Sequence, residues 1–219
     1  MSDQLAKAIE SLRRGGLAIL VDDRNRENEG DVVVAAEFIT ANAITFMAEH
    51  CRTMITIPMT AARLARLGID LMVKANSGPE HTAFTVSVDY RHGTTTGSSA
   101  VDRAKTIRAL VDETAKPSDF ASPGHVFPLR AHPDGLGARR GHTEGAIELM
   151  KLAGLYPAAA ISEVQGRHGK MLDKDELIEF AHRFEMPMVR VQCIAEHLAE
   201  VSQSPAEAGT ALPTGQISA

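Results

Sequence analysis

The stretch Asp22-Asp23-Arg24-Asn25-Arg26-Glu27-Asn28-Glu29-Gly30-Asp31 constrains this chain more than any other. It places five carboxylates and two arginines between two short apolar runs, Leu17-Ala18-Ile19-Leu20-Val21 and Val32-Val33-Val34-Ala35-Ala36. Both runs are bounded and β-branched, as buried strands are. A turn between core strands needs only a few polar residues, and clustered acids repel unless a cation or a substrate offsets them. Hard divalent cations take oxygen ligands, and Mg²⁺ takes one or two protein carboxylates. Arginine beside such a site suits a phosphate or another oxyanion. An exposed hairpin loop of self-compensating charge is the second reading of the same residues. An EF-hand is disfavoured, because Arg24 and Arg26 stand where a calcium loop from Asp22 needs oxygen donors.

The chain's 219 residues suit one large domain, or one domain with a tail. A formal charge of −5 with acids and bases interspersed argues against a nucleic-acid surface. No apolar run approaches the ~20 residues a membrane span needs, and Ser2-Asp3-Gln4 opens a polar helix rather than a signal peptide. Cys51 and Cys193 are too few for a disulfide scaffold and fit a reducing cytoplasm, the expected location.

Spacing predicts a helix over 4–14, then the two strands around the acidic loop, and a helix capped by Thr40 running to about His50. A strand over 54–57 is expected to stop at Pro58, and Thr60 to cap a short helix ending at Gly68. Residues 74–81 read as loop, and the alternation from Phe84 to Tyr90 as an antiparallel strand. A helix over 100–111 follows, then a loop from Lys116 to Gly124. His125 to Ala131 reads as a strand that Pro128 demotes to an edge or irregular one. A helix ending at Gly154, a strand over 158–164, a helix boxed by Asp173 and Glu176, and a strand over 188–191 complete the pattern. The expected fold is a single α+β domain over residues 1–202, a three-layer mixed sheet flanked by helices, with residues 203–219 as a flexible tail or linker.

Further segments carry chemistry. Gly93-Thr94-Thr95-Thr96-Gly97-Ser98-Ser99 precedes a helix and suits either a phosphate cradle or a plain serine cap. Arg139-Arg140-Gly141-His142-Thr143-Glu144 opens another helix, where arginine, hydroxyl and free N–H groups suit a phosphate. His142 is either a metal ligand or a surface residue beside a Thr143 cap. His125 is an acid–base group or a structural histidine, and Glu163 ends an apolar strand, facing either a site or solvent. Together these suit metal-assisted chemistry on a small phosphorylated substrate.

The acidic stretch, Phe84-Thr85-Val86-Ser87-Val88-Asp89, Gly93-Thr94-Thr95-Thr96-Gly97, Lys116-Pro117-Ser118-Asp119-Phe120, Pro123-Gly124-His125-Val126-Phe127-Pro128-Leu129-Arg130 and Gly141-His142-Thr143-Glu144 occur in that order. Over roughly residues 5–198 the chain closely resembles the 3,4-dihydroxy-2-butanone 4-phosphate synthase family. The resemblance implies a lyase of riboflavin biosynthesis that converts D-ribulose 5-phosphate to formate and L-3,4-dihydroxy-2-butanone 4-phosphate. Its route would be a metal-stabilised enediolate and a skeletal rearrangement, with Mg²⁺ or Mn²⁺. It implies a homodimer with active sites near the subunit interface, metal ligands at Glu27 and His142, and essential groups at His125 and Glu163. Asp31 and Glu29 join these as candidate acids and bases. Substrate contacts are implied for Arg26, Glu27, Asp31, Thr96, Arg139, Arg140, Gly141, His142 and Thr143. Arg139 is preferred over Arg140 by its spacing from His142.

Two departures stand out. Many members carry a cysteine where this chain has Thr56, which puts a thiol-specific role in doubt. Many are fused to a C-terminal GTP cyclohydrolase II, whose cysteine zinc motif is not found here, so a stand-alone synthase or the N-terminal half of a fusion is expected. Two other classes compete: an isomerase or aldolase of another sugar phosphate, and a non-catalytic metal- or phosphate-binding module.

Overall fold

The computed structural model describes residues 1–23 and 25–203. Arg24 and, but for Gln203, the expected tail lie outside the described residues.

The first helix, α1 (Asp3–Arg13), is capped by the Ser2 hydroxyl, which accepts the Leu5 N–H, and it buries Leu5, Ala8, Ile9 and Leu12 at helical spacing. Two strands follow, β1 (Ala18–Val21) and β2 (Gly30–Ala35), paired antiparallel with Val21 opposite Gly30. The acidic stretch is therefore a hairpin loop, and Asp31 belongs to the strand itself. Its partner on the other side is β6 (Ala159–Glu163), antiparallel, and β1 pairs in parallel with β7 (Met188–Arg190). Beyond β6 lie β3 (Thr56–Met59), β5 (Phe120–Arg130) and β4 (Val88–Tyr90). The order β4-β5-β3-β6-β2-β1-β7 makes one mixed sheet, as expected.

Helix α2 (Ala41–Phe46), capped by Thr40, runs into a π turn over Met47–Cys51. Then come α3 (Ala61–Arg66), α4 (Ala100–Val111), α5 (His142–Ala153), α6 (Lys174–Arg183) with its Asp173–Glu176 capping box, and α7 (Val191–Gln203). Strand alternation divides the core between two faces. Val32, Val34, Ile57 and Met59 pack with Ile44, Leu64, Ile107 and Leu177, while Leu20, Val33, Ala35 and Ile161 pack with Leu12, Leu149, Met150 and Ile194. The sheet is thus the middle of three layers in a single α+β domain, and each fully buried Leu or Ile contributes about 1.5–3 kcal/mol.

Some expectations need correction. Pro58 does not stop its strand, since β3 runs through it to Met59. β5 begins at Phe120 and contains both Pro123 and Pro128; it is no edge strand, since it lies between β4 and β3, but it is irregular as expected, its register against β4 shifting between Val88 and Asp89. Both ladder prolines turn away from the β3–β5 ladder. Met59 accepts Ala131 N–H across that ladder, so its neighbour Pro58 faces β6, and the Pro128 carbonyl points to Thr85. A missing donor on those sides breaks no β3–β5 bond. The alternating segment forms a ladder only at Val88–Tyr90. Upstream, Val86 N–H goes to Asp70 and Thr85 N–H to Pro128, so the chain threads between two segments. Helix α7 was not anticipated.

Candidate active site

Asp22 shapes the hairpin loop. Its buried carboxylate accepts the backbone N–H of Glu27 at 3.1 Å and of Glu29 at 2.9 Å, and Arg26 Nη1 at 2.9 Å. Arg26 also holds Glu27 Oε2 at 2.6 Å and Glu80 Oε2 at 3.2 Å. The loop is folded on its own charges, which answers part of the repulsion that the sequence raises.

Asp22 turns Glu27 toward α5, where His142 is buried. His142 Nε2 donates to the Glu29 carbonyl at 3.3 Å, and Nδ1 faces Glu27 Oε2 at 3.6 Å. Asp31 Oδ1 lies 3.7 Å from His142 Nε2 and is buried with no hydrogen-bond partner. Burial disfavours a charged His142, but Asp31, Glu27 and Asp22 outweigh it and raise its pKa to about 9. Burial raises Asp31 to about 7, with Glu163 adding repulsion against the opposing pull of His142. Glu163, directly opposite Asp31 in the β2–β6 ladder, is raised by burial and by Glu27. Glu27 is lowered, chiefly by the neighbouring His142 ring.

One cavity of about 170 Å³ gathers Arg26, Glu27, Asp31, Arg139, His142, Thr143 and Glu163. Gly141 is the N-cap of α5, and a Cβ there would stand 2.4 Å from Arg139 Nη1. Arg139 is fixed by Glu144 Oε2 at 2.6 Å, Thr82 Oγ1 at 3.0 Å and the Glu80 carbonyl. Arg140 points elsewhere, into a cleft shared with Asp23, Lys174 and Arg190. Glu29 reaches His142 through its backbone. Its carboxyl is raised by burial and by neighbouring Glu163 and Glu27. The Thr143-cap reading fails: Gly141 caps α5, and both His142 and Thr143 are buried.

Other residues lie off the cavity. His125 pairs with Asp89 on the β4–β5 side, and Thr96 is exposed with its hydroxyl on Ser98. The N–H groups of Thr95 and Gly97 point to the Asp102 carboxylate, and Ser99 caps α4. Thr56 lines the cavity, while Cys51 is buried with its thiol pushed up to about 12 by burial.

Sequence reasoning missed several supports. Thr53 Oγ1 donates to the Glu163 carbonyl at 2.6 Å and lies 2.9 Å from Ser162 Oγ, bracing the end of β6. Glu80 and Thr82 sit in a segment with no periodicity to mark them. Glu144 was visible in its motif but not its grip on Arg139.

His142 fits a metal role: one ring nitrogen is oriented by a carbonyl while the other faces a carboxylate. Asp22, Glu27 and His142 bring possible ligand atoms within 4.8 Å of one another. Asp22 accepts Arg26 and two backbone N–H groups, Glu27 accepts Arg26 alone and faces His142, and the orphaned Asp31 oxygen lies beside them.

The model of the family described as 3,4-dihydroxy-2-butanone 4-phosphate synthase matches residues 6–197. The 3,4-dihydroxy-2-butanone 4-phosphate synthase of Agrobacterium fabrum is 48% identical over 195 residues, covering 89% of this chain and 92% of that protein. The riboflavin biosynthesis protein RibBA of Cytophaga hutchinsonii is 44% identical over 214 residues, and the chain spans 53% of its length. In three dimensions the chain is similar to a crystal structure of 3,4-dihydroxy-2-butanone 4-phosphate synthase in complex with two magnesium ions. The TM-score is 0.86 at 40% identity, over 92% of this chain and 99% of that one.

Proposed function

The chain belongs to the 3,4-dihydroxy-2-butanone 4-phosphate synthase family, and from that premise we propose that it converts D-ribulose 5-phosphate to formate and L-3,4-dihydroxy-2-butanone 4-phosphate for riboflavin biosynthesis. The observation that carries this reading is the facing pair Asp31 and Glu163, both with raised pKa, in the cavity that also holds Glu27, His142 and Arg139.

Arg139, the Thr143 hydroxyl and the N–H groups opening α5 bind the substrate phosphate. Asp31, with a pKa near neutrality, removes a proton beside the substrate carbonyl and leaves an enediolate. Glu163 returns and removes protons during the rearrangement, its raised pKa keeping it able to do both. Glu29 is the reserve acid at the loop's end, and Arg26 orients Glu27. Glu27 and His142 hold Mg²⁺, or Mn²⁺, which supplies Lewis-acid polarisation of oxygen when bound.

The cavity of one chain has no histidine from β5. We therefore read the enzyme as a cytoplasmic homodimer in which His125 of the partner subunit completes each site. Formate release from ribulose 5-phosphate, with Mg²⁺ and then with excess EDTA, tests the reaction. Chelator-sensitive formate in step with substrate loss is expected. Substrate loss without formate overturns it in favour of an isomerase or aldolase, and no loss with any divalent metal points to a binding module.

A further inference from the structure

Motif residues that the cavity does not use converge on one carboxylate. Asp89 in β4 accepts two hydrogen bonds from His125 in β5: backbone N–H to Oδ1 at 2.9 Å, and ring Nδ1 to Oδ2 at 2.7 Å. Two glycines clear the space. A Cβ on Gly97 would stand 2.1 Å from Asp89 Oδ2, and one on Gly124 would stand 2.1 Å from the Val88 carbonyl carbon and 2.3 Å from the Asp89 nitrogen. Gly97 also has φ +88°, in the region that favours glycine. Both glycines are held in place, Gly97 N–H by Asp102 and Gly124 N–H by Ser87 Oγ. The Asp89 side chain is 15% exposed, whereas the His125 side chain is 48% exposed.

An ionised carboxylate only accepts hydrogen bonds. His125 must therefore carry its proton on Nδ1, which leaves Nε2 of the neutral ring as the proton acceptor. The second bond, from the His125 backbone, keeps the Asp89 carboxylate from rotating out of register with the ring. We infer that Asp89 is a positioning residue for His125, fixing the tautomer in which Nε2 exchanges protons, and that Gly97 and Gly124 provide the space this dyad needs. The inference rests on reading His125 as an acid–base group of the proposed reaction.

Nitrogen-15 NMR of histidine-labelled whole protein tests it, with the His125 resonances assigned by comparison with His125→Gln. At a pH where the ring is neutral, the wild type is expected to show protonated Nδ1 and bare Nε2. Asp89→Asn, whose amide can donate to Nδ1, should move the proton to Nε2. It should also lower kcat about 10²–10⁴-fold with KM little changed. A wild-type ring protonated on Nε2 overturns the proposal without any variant. So does an Asp89→Asn protein with unchanged tautomer or near-normal kcat. Absence of formate release by the wild type would strike the proposed reaction instead, and the wild-type tautomer would still decide the dyad.

Discussion

Asp31 and Glu163 face each other across the β2–β6 ladder, so their side chains leave the same face of the sheet into one cavity. Two carboxyls so placed cannot both ionise cheaply. Glu163→Gln removes one charge, so Asp31 should titrate below its present value of about 7. Turnover should fall about 10²–10⁴-fold with the fold intact. Carbon-13 NMR of the Asp31 carboxyl and a formate assay check both outcomes. An unchanged Asp31 titration would show that the pair is uncoupled.

His142 and Glu27 lend themselves to a metal titration. His142 carries a proton up to about pH 9, and a cation must displace it. Calorimetry should therefore find Mg²⁺ affinity rising about tenfold per pH unit between neutrality and that value. Glu27→Gln and His142→Ala should abolish both Mg²⁺ binding and metal-dependent turnover. Near-normal binding in either variant would sink the ligand assignment.

Metal-free stability should fall as pH rises. Asp31 and His142 both have folded-state values above their ordinary ones. Each therefore contributes stability that is complete below its ordinary pKa and lost as pH rises through the folded one. The windows are 3.8 to about 7 for Asp31 and 6.5 to about 9 for His142. In EDTA, the wild-type Tm should drop across both windows, whereas His142→Gln should lose the drop that belongs to His142 and, without the pull that lowers Asp31, carry the Asp31 drop to higher pH.

Gly141→Ala should act on binding rather than chemistry, because the new Cβ would stand 2.4 Å from Arg139 Nη1. Displacing one charge-assisted contact is worth about 1.5–3 kcal/mol, roughly ten- to a hundredfold in KM. Steady-state kinetics in which kcat falls while KM holds would contradict this.

Mixing two inactive variants tests the two-fold site. His125→Ala and Glu163→Gln homodimers, dissociated and reannealed together, should regain about a quarter of wild-type activity, since random pairing makes half the dimers mixed, each with one complete site. No recovery from a mixture that does form mixed dimers would place His125 and Glu163 in the same subunit's site.

Periodic elements were legible because their cause is local. Thr40, Thr60, Ser99 and Asp173 cap helices where the sequence put them. The prolines misled because whether a missing donor matters depends on which neighbouring strand it faces, which Pro58 and Pro128 do not reveal alone. The cavity's acids and bases lie in motifs around a hairpin and a helix start, and these are compact in sequence. Their supports are not. Glu80 reaches Arg26 from far along the chain, and Thr53 reaches Glu163 from farther still. His125 and Thr96 are compact in sequence too, yet they lie off the cavity: β5 carries His125 to the β4 side, and Thr96 sits in the loop between β4 and α4.

Glu80 gives its carboxylate to Arg26 and its carbonyl to Arg139. The two cavity arginines are therefore not independent variables. An anion that draws Arg139 off that carbonyl also disturbs the residue restraining Arg26, and by reciprocity a change at Arg26 alters the affinity felt at Arg139. Substituting both arginines will give an effect different from the sum of the single ones, and the difference measures how much of the site's response passes through one glutamate.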